Sequence, residues 1–208
     1  MMFKKKLLGI IIVVVALMTV VSLSGLNFLT LPTLDGTAGT ENNAEVNERE
    51  SAITMEKIFL TTKDGVKLAV NLYEAKPRKI EYPTPRGWIV FLHMMPAQKE
   101  SWDDLAGEFQ NLGYESLAID FRGHGESTTR ANADGTQTDA EIKLDYKNFT
   151  DPEQQKKIYD VEAAVDYLRK ERGAVSEKIS LIGASIGANL SLQYLGEHPD
   201  FKKAVLLS

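Results

Sequence analysis

Lys178-Ile179-Ser180-Leu181-Ile182-Gly183-Ala184-Ser185-Ile186-Gly187-Ala188 is the stretch on which the fold of this chain turns. Residues 178–182 have the length and branched apolar content of a buried strand, and 188–195 read as a helix. Between them stands Gly183-Ala184-Ser185-Ile186-Gly187, a G-x-S-x-G pattern in strand-to-helix context. So tight a turn needs glycine at 183 and 187, because side chains there are expected to collide with neighbouring backbone. Ser185 is expected in a strained conformation with its hydroxyl raised above the sheet, as a candidate nucleophile. Its own N–H and that of Ile186 lie at the start of the next helix, where partial positive charge favours an oxyanion. The alternative is a plain strand-to-helix turn with no chemistry.

The pattern continues toward the N-terminus. Residues 57–62 and 66–73 are two strand-like runs, the second with Val66, Leu68, Val70 and Leu72 alternating with less apolar residues. Asp64-Gly65 between them is a hairpin signal. Residues 88–92 form a continuous apolar run, as expected of a strand covered on both faces. Ser101 and Asp104 fit a capping box, followed by Trp102, Leu105, Phe109 and Leu112 at helical spacing and by Gly113 as the stop. Residues 116–120 are another short buried strand. Asp151-Pro152 opens a helix whose core face is Ile158, Val161, Val165 and Leu168, closed by Gly173. Residues 203–207 are a last strand. Strand and helix thus alternate from Trp88 onward, which predicts an α/β fold: a doubly wound, mostly parallel sheet with an antiparallel N-terminal hairpin at its front edge. Ligands in such sheets bind outside the carboxyl ends of the strands.

Three motif-bearing loops fall at such ends, and the serine turn is one of them. Leu92-His93-Met94-Met95-Pro96 ends the 88–92 strand and is placed to give a second oxyanion N–H. His93 reads as a structural residue that shapes this loop, because a residue leaving that strand lies beneath it. Asp120-Phe121-Arg122-Gly123-His124-Gly125-Glu126-Ser127 ends the next strand. Gly123 and Gly125 permit a tight loop there, which an Arg122–Asp120 ion pair is expected to pin. His124 is tempting as a catalytic base, but a structural role is preferred. Asp160 and His198 read as helix-surface and loop residues.

Composition narrows the function classes. The chain has 208 residues, 43% apolar and 25% charged, which suits one soluble globular domain. Of its 24 basic residues, Lys4, Lys5 and Lys6 precede the first apolar run, and the remaining 21 face 29 acidic ones. That balance argues against nucleic acid as a partner, which calls for a basic footprint. Without cysteine there is no disulfide or thiolate metal site, and the three histidines stand in none of the usual metal-ligand spacings. Residues 7–21 are dominated by Ile, Val and Leu, and no charge appears between Lys6 and Asp35. A basic start before such a run predicts an N-terminal hydrophobic helix (1–34), an uncleaved anchor or a cleaved signal ending near Gly25. The lysines are expected on the cytoplasmic side and the domain beyond the membrane. Residues 35–52 are polar and acidic, a flexible linker to a domain over 53–208.

The order of these motifs resembles the α/β-hydrolase superfamily over residues 56–208, most of all its bacterial esterase, dienelactone-hydrolase-like and peptidase-like serine hydrolases. The resemblance implies Ser185 as nucleophile, with Ile186 and Met95 donating the oxyanion N–H groups. Met94 stands where many relatives have glycine, which leaves Met94 as the alternative second donor. It also implies a small-molecule acyl substrate such as a carboxylic ester, with no metal or organic cofactor. In this superfamily the catalytic acid and histidine follow the serine. Here only Glu197, His198 and Asp200 follow, in the stretch that ends the serine's helix and far from the hydroxyl. The chain is therefore expected to be an N-terminal portion, truncated after the sixth strand, with two further strands bearing the acid and histidine encoded beyond Ser208. A non-catalytic binding module of the same fold, or an inactive truncated product, are the alternatives.

Overall fold

Gly65 takes φ +83°, a left-handed conformation that glycine adopts without steric penalty, and the chain folds back on itself there. Glu56–Thr61 (β1) pairs antiparallel with Val66–Tyr73 (β2), Glu56 opposite Leu72 and Thr61 opposite Lys67. The computed structural model describes residues 53–76, 85–131, 142–201 and 203–208. The expected N-terminal helix (1–34) and linker (35–52) lie outside the described residues. Among the described residues, no helix is long and apolar enough to cross a membrane.

The remaining elements are Trp88–Leu92 (β3), Asp103–Asn111 (α1), Glu115–Ile119 (β4), Thr129–Arg130 (β5) and Ile142–Lys143 (β6). They continue with Asp151–Gln155 (α2), Ile158–Glu171 (α3), Ile179–Ala184 (β7), Ile186–Glu197 (α4) and Ala204–Leu207 (β8). One sheet holds the strands in the order β6-β5-β2-β4-β3-β7-β8, with β1 also on β2. Strands β4, β3, β7 and β8 run parallel, and the other pairings are antiparallel, so the sheet is mixed. The short pair β5 and β6, built from the segment after Gly125, was not expected from the sequence.

Both faces of the sheet are covered. Val90, Leu92, Leu117, Ile119 and Leu181 pack with Val161, Val165 and Leu168 of α3 and with Leu190 and Tyr194 of α4. Ile89, Phe91, Ala118 and Ile182 face Trp102 and Ala106 on the α1 side. Phe91 and Trp102 stack at 5.2 Å. All five residues of β3 are buried, at about 1.5–3 kcal/mol for each large apolar side chain, which anchors the loop that leaves Leu92. In β2, the alternation suggested one exposed face, yet only Lys67 is exposed, because helices lie on both sides.

Several local expectations are corrected. No capping box forms at Ser101: residues Lys99–Trp102 make a 3-10 turn in which Ser101 Oγ donates to Gln98 O at 2.7 Å. Helix α1 then starts at Asp103, whose carboxylate accepts from the buried Tyr73 hydroxyl. The helix opened by Asp151-Pro152 breaks after Gln155, where Lys157 N–H donates to Gln154 O and Tyr159 N–H to Lys156 O in tightened i to i+3 turns. Asp160 is not on a surface but wholly buried, and Arg122 pairs with it rather than with Asp120. Asp120 pairs with Lys99 instead, 3.0 Å away.

Candidate active site

Ser185 sits at the junction of β7 and α4 with φ 50° and ψ −112°, alone among the described non-glycine residues in having positive φ. For a residue with a Cβ that conformation is strained, and it persists because both neighbours leave no room for another path. A Cβ on Gly183 would lie 2.2 Å from Gly187 O, and one on Gly187 would lie 2.2 Å from Leu92 O. Ser185 N–H donates to Leu207 O at 2.9 Å, so β8 holds the turn from the other side. The side chain is exposed and caps nothing. Helix α4 begins at Ile186, two residues earlier than the apolar pattern suggested, so the Ile186 N–H belongs to the unpaired first turn.

The loop after β3 lies beside this turn, since Leu92 is level with Gly183 in the parallel pairing. Met94 and Met95 are exposed, at 47% and 42%, and neither N–H donates to a backbone carbonyl. His93 beneath them is wholly buried. Its Nε2 accepts from Phe121 N–H at 3.1 Å, so Nδ1 is the protonated nitrogen and donates to Met94 O at 2.8 Å. Both ring nitrogens are spent on backbone, which ties the β3 loop to the β4 loop, and burial lowers the pKa of the ring.

The Asp120–Ser127 loop is closed on itself. Asp120 accepts from the backbone N–H groups of Lys99 (2.8 Å) and Glu126 (3.0 Å). A Cβ on Gly125 would lie 2.1 Å from the Asp120 carboxylate. Lys99 Nζ joins Asp120 and Glu126 while only 1% of its side chain is exposed, and its pKa stays raised although burial opposes this, because Glu100 and Asp120 face it. Arg122 is also fully buried. It bonds Asp160 through backbone N–H and Nε at 2.9 Å each, Asp64 at 2.8 and 2.9 Å, and Glu153 at 3.2 Å. Burial holds the Asp160 carboxyl up at about 6 against the pull of Arg122. His124 is 2% exposed, stacks on Tyr146 at 4.0 Å, and pairs Nδ1 with Arg122 O at 3.1 Å. Burial takes its pKa down to about 4.

The structure thus brings Ser185, Ile186, Gly183 and Gly187 together with Met94 and Met95 at the carboxyl ends of β7 and β3. It gives Ser185 no histidine. His93 and His124 are buried and bonded to backbone, and His198 closes α4, about 18 Å along the helix at 1.5 Å per residue, stacked on Tyr194. Among the described residues, no group of three His, Asp or Glu could hold a metal ion. The sequence does not single out Lys99, Glu153 or Lys157, and it marks Asp64 only as part of a turn. Only Lys157 left a signal, since it stands one helical turn before Val161 on the apolar stripe.

Comparison with known proteins gives the same architecture. A family model described as alpha/beta hydrolase fold matches residues 87–208. A probable alcohol acetyltransferase of Cyberlindnera fabianii is 27% identical over 146 residues, 68% of this chain and 32% of that protein. An esterase of Pyrococcus furiosus superposes with a TM-score of 0.53 at 23% identity, over 72% of this chain and 47% of that one. The alpha/beta hydrolase GrgF of Penicillium sp. sh18 gives 0.57 at 19% identity, over 74% and 45%. This chain therefore spans a third to a half of the length of these relatives. With the family's model covering more than half its length, and a strand–serine turn–helix unit within the matched residues, the chain belongs to the alpha/beta hydrolase family.

Proposed function

We propose that this chain carries the nucleophile half of a serine hydrolase acting on a carboxylic ester or related acyl substrate. Ser185 Oγ attacks the acyl carbonyl, forming an ester to the enzyme as the alcohol leaves. The N–H groups of Ile186 and Met95, with Met94 as the alternative to Met95, receive the oxyanion. The proton of Ser185 goes to a histidine outside residues 1–208, which returns it to the leaving alkoxide, and water then releases the acid. The observation that carries this reading is the backbone at Ser185, a positive φ enforced by two glycines that cannot accept a Cβ. Strain of that kind at an exposed serine serves chemistry better than stability.

In the full-length protein, Ser185→Ala is expected to lower turnover of p-nitrophenyl acetate by roughly three orders of magnitude or more while the circular dichroism stays unchanged. Residues 1–208 alone are expected to hydrolyse it no faster than their own Ser185→Ala variant, because no histidine among them reaches the serine. Full activity in the alanine variant removes Ser185 as nucleophile.

A second reading is acyl transfer to an alcohol, favoured by the name of the Cyberlindnera relative. Both share the acyl-enzyme and differ in what takes the acyl group. Ethanol added to the assay separates them, by yielding ethyl acetate in place of acetate. We further propose that residues 7–29 hold the protein at the cell membrane with the domain on its outer side.

A further inference from the structure

The ammonium of Lys157 is wholly buried and has no counter-charge among the described residues. Its Nζ donates to Gln154 Oε1 and lies 3.9 Å from Met95 Sδ, with the Phe149 ring centroid at 5.5 Å. Among the described residues, no carboxylate stands within ion-pairing distance. Asp160, three residues on, is held by Arg122. A buried ammonium whose partners are an amide oxygen, a thioether and an aromatic face is under-compensated. Burial lowers its pKa, and Asp160 opposes this only in part.

The place of this cation matters more than its burial. The thioether against it belongs to Met95, which stands half-exposed on the loop level with the Ser185 turn. The field of Lys157 reaches His93 and His124 beneath that loop and disfavours a proton on either ring. His124 Nε2, unprotonated because Nδ1 donates to Arg122 O, is itself buried with no partner. The floor under the oxyanion loop thus holds a cation without an anion beside an acceptor without a donor.

We propose that Lys157 is a specificity-determining residue, whose ammonium receives a carboxylate of the substrate when the Met95 side chain swings aside, so that esters bearing an anionic group are preferred to neutral ones. This rests on the acyl-transfer reading of Ser185. Methionine suits the covering role: three rotatable bonds let it move, and sulfur is a weak acceptor. An arriving carboxylate exchanges that contact for a charge-assisted hydrogen bond in a site of low dielectric.

The test uses the full-length protein with Lys157→Met and Lys157→Arg, and follows acid release at constant pH from monoethyl succinate, monoethyl adipate and ethyl butyrate. In Lys157→Met, the ratio of kcat/KM for the better anionic ester over ethyl butyrate is expected to fall at least tenfold, chiefly through KM. Lys157→Arg is expected to keep a ratio above that of Lys157→Met. The Tm of Lys157→Met is expected to equal or exceed that of the parent, since a methionine needs no counter-charge. An unchanged ratio, or an equal loss on all three esters with a lowered Tm, overturns the proposal and makes Lys157 structural. Equal rates for the parent and Ser185→Ala on every ester would instead defeat the acyl-transfer reading, and this proposal with it.

Discussion

Gly187 shows how much a single missing atom decides at this site. Its Cα faces the Leu92 carbonyl so closely that a Cβ would sit 2.2 Å from the oxygen, and that oxygen belongs to the strand that launches the Met94–Met95 loop. Any relief must move β3 or the start of α4, and both are packed in the core. Gly187→Ala is therefore expected to cost about 3 kcal/mol, the upper end for over-packing, measured as the shift in urea unfolding. A change under about 0.5 kcal/mol would mean that the turn opens freely, and would remove the steric account of the Ser185 conformation. The neighbouring histidines make the opposite point. His93 and His124 invite a catalytic reading in the sequence, yet each is held by backbone groups in a buried position.

Between elements, Arg122 is the connector. It leaves the β4 loop and reaches Asp64 in the β1–β2 turn, Glu153 in α2 and Asp160 in α3, so one guanidinium holds three separate parts of the fold. Removing it leaves the fully buried Asp160 carboxyl without the guanidinium that satisfies it. Arg122→Met is expected to destabilise the protein by about 3–5 kcal/mol, and Arg122→Met with Asp160→Leu by clearly less, because the second change takes away the unsatisfied buried carboxyl group. Urea unfolding of the two single variants and the double completes the cycle. Additive losses would show that the pair carries no coupling. The break between α2 and α3 belongs to the same scale. The tightened turns at Lys156 and Lys157 bring Lys157 inward beside Met95, where an unbroken helix was expected.

For the whole molecule, the domain begins after a segment whose sequence has the features of a membrane anchor. A run from Leu7 with no charge before Asp35 is long enough to span a bilayer. Cells making the full-length protein are expected to retain it in the membrane pellet after alkaline carbonate extraction. Complete release, with a mature N-terminus near Gly25, would favour a cleaved signal.

The alternation of strand and helix, the hairpin at Asp64-Gly65 and the serine turn were legible in the sequence because each rests on local chemistry: side-chain period, a glycine that accepts positive φ, and the spacing of two residues without Cβ. The positions that depend on what lies opposite were not. Asp120 and Arg122 are two residues apart and opposite in charge, yet they take separate partners, Lys99 and Asp160, from 21 and 38 residues away. Asp160 reads as a helix-surface residue, and Lys157 is not singled out, because charge alone predicts exposure. Only the crossing of α3 beneath the β3 and β4 loops decided that both would be buried, since burial depends on which elements meet and not on the residue type by itself.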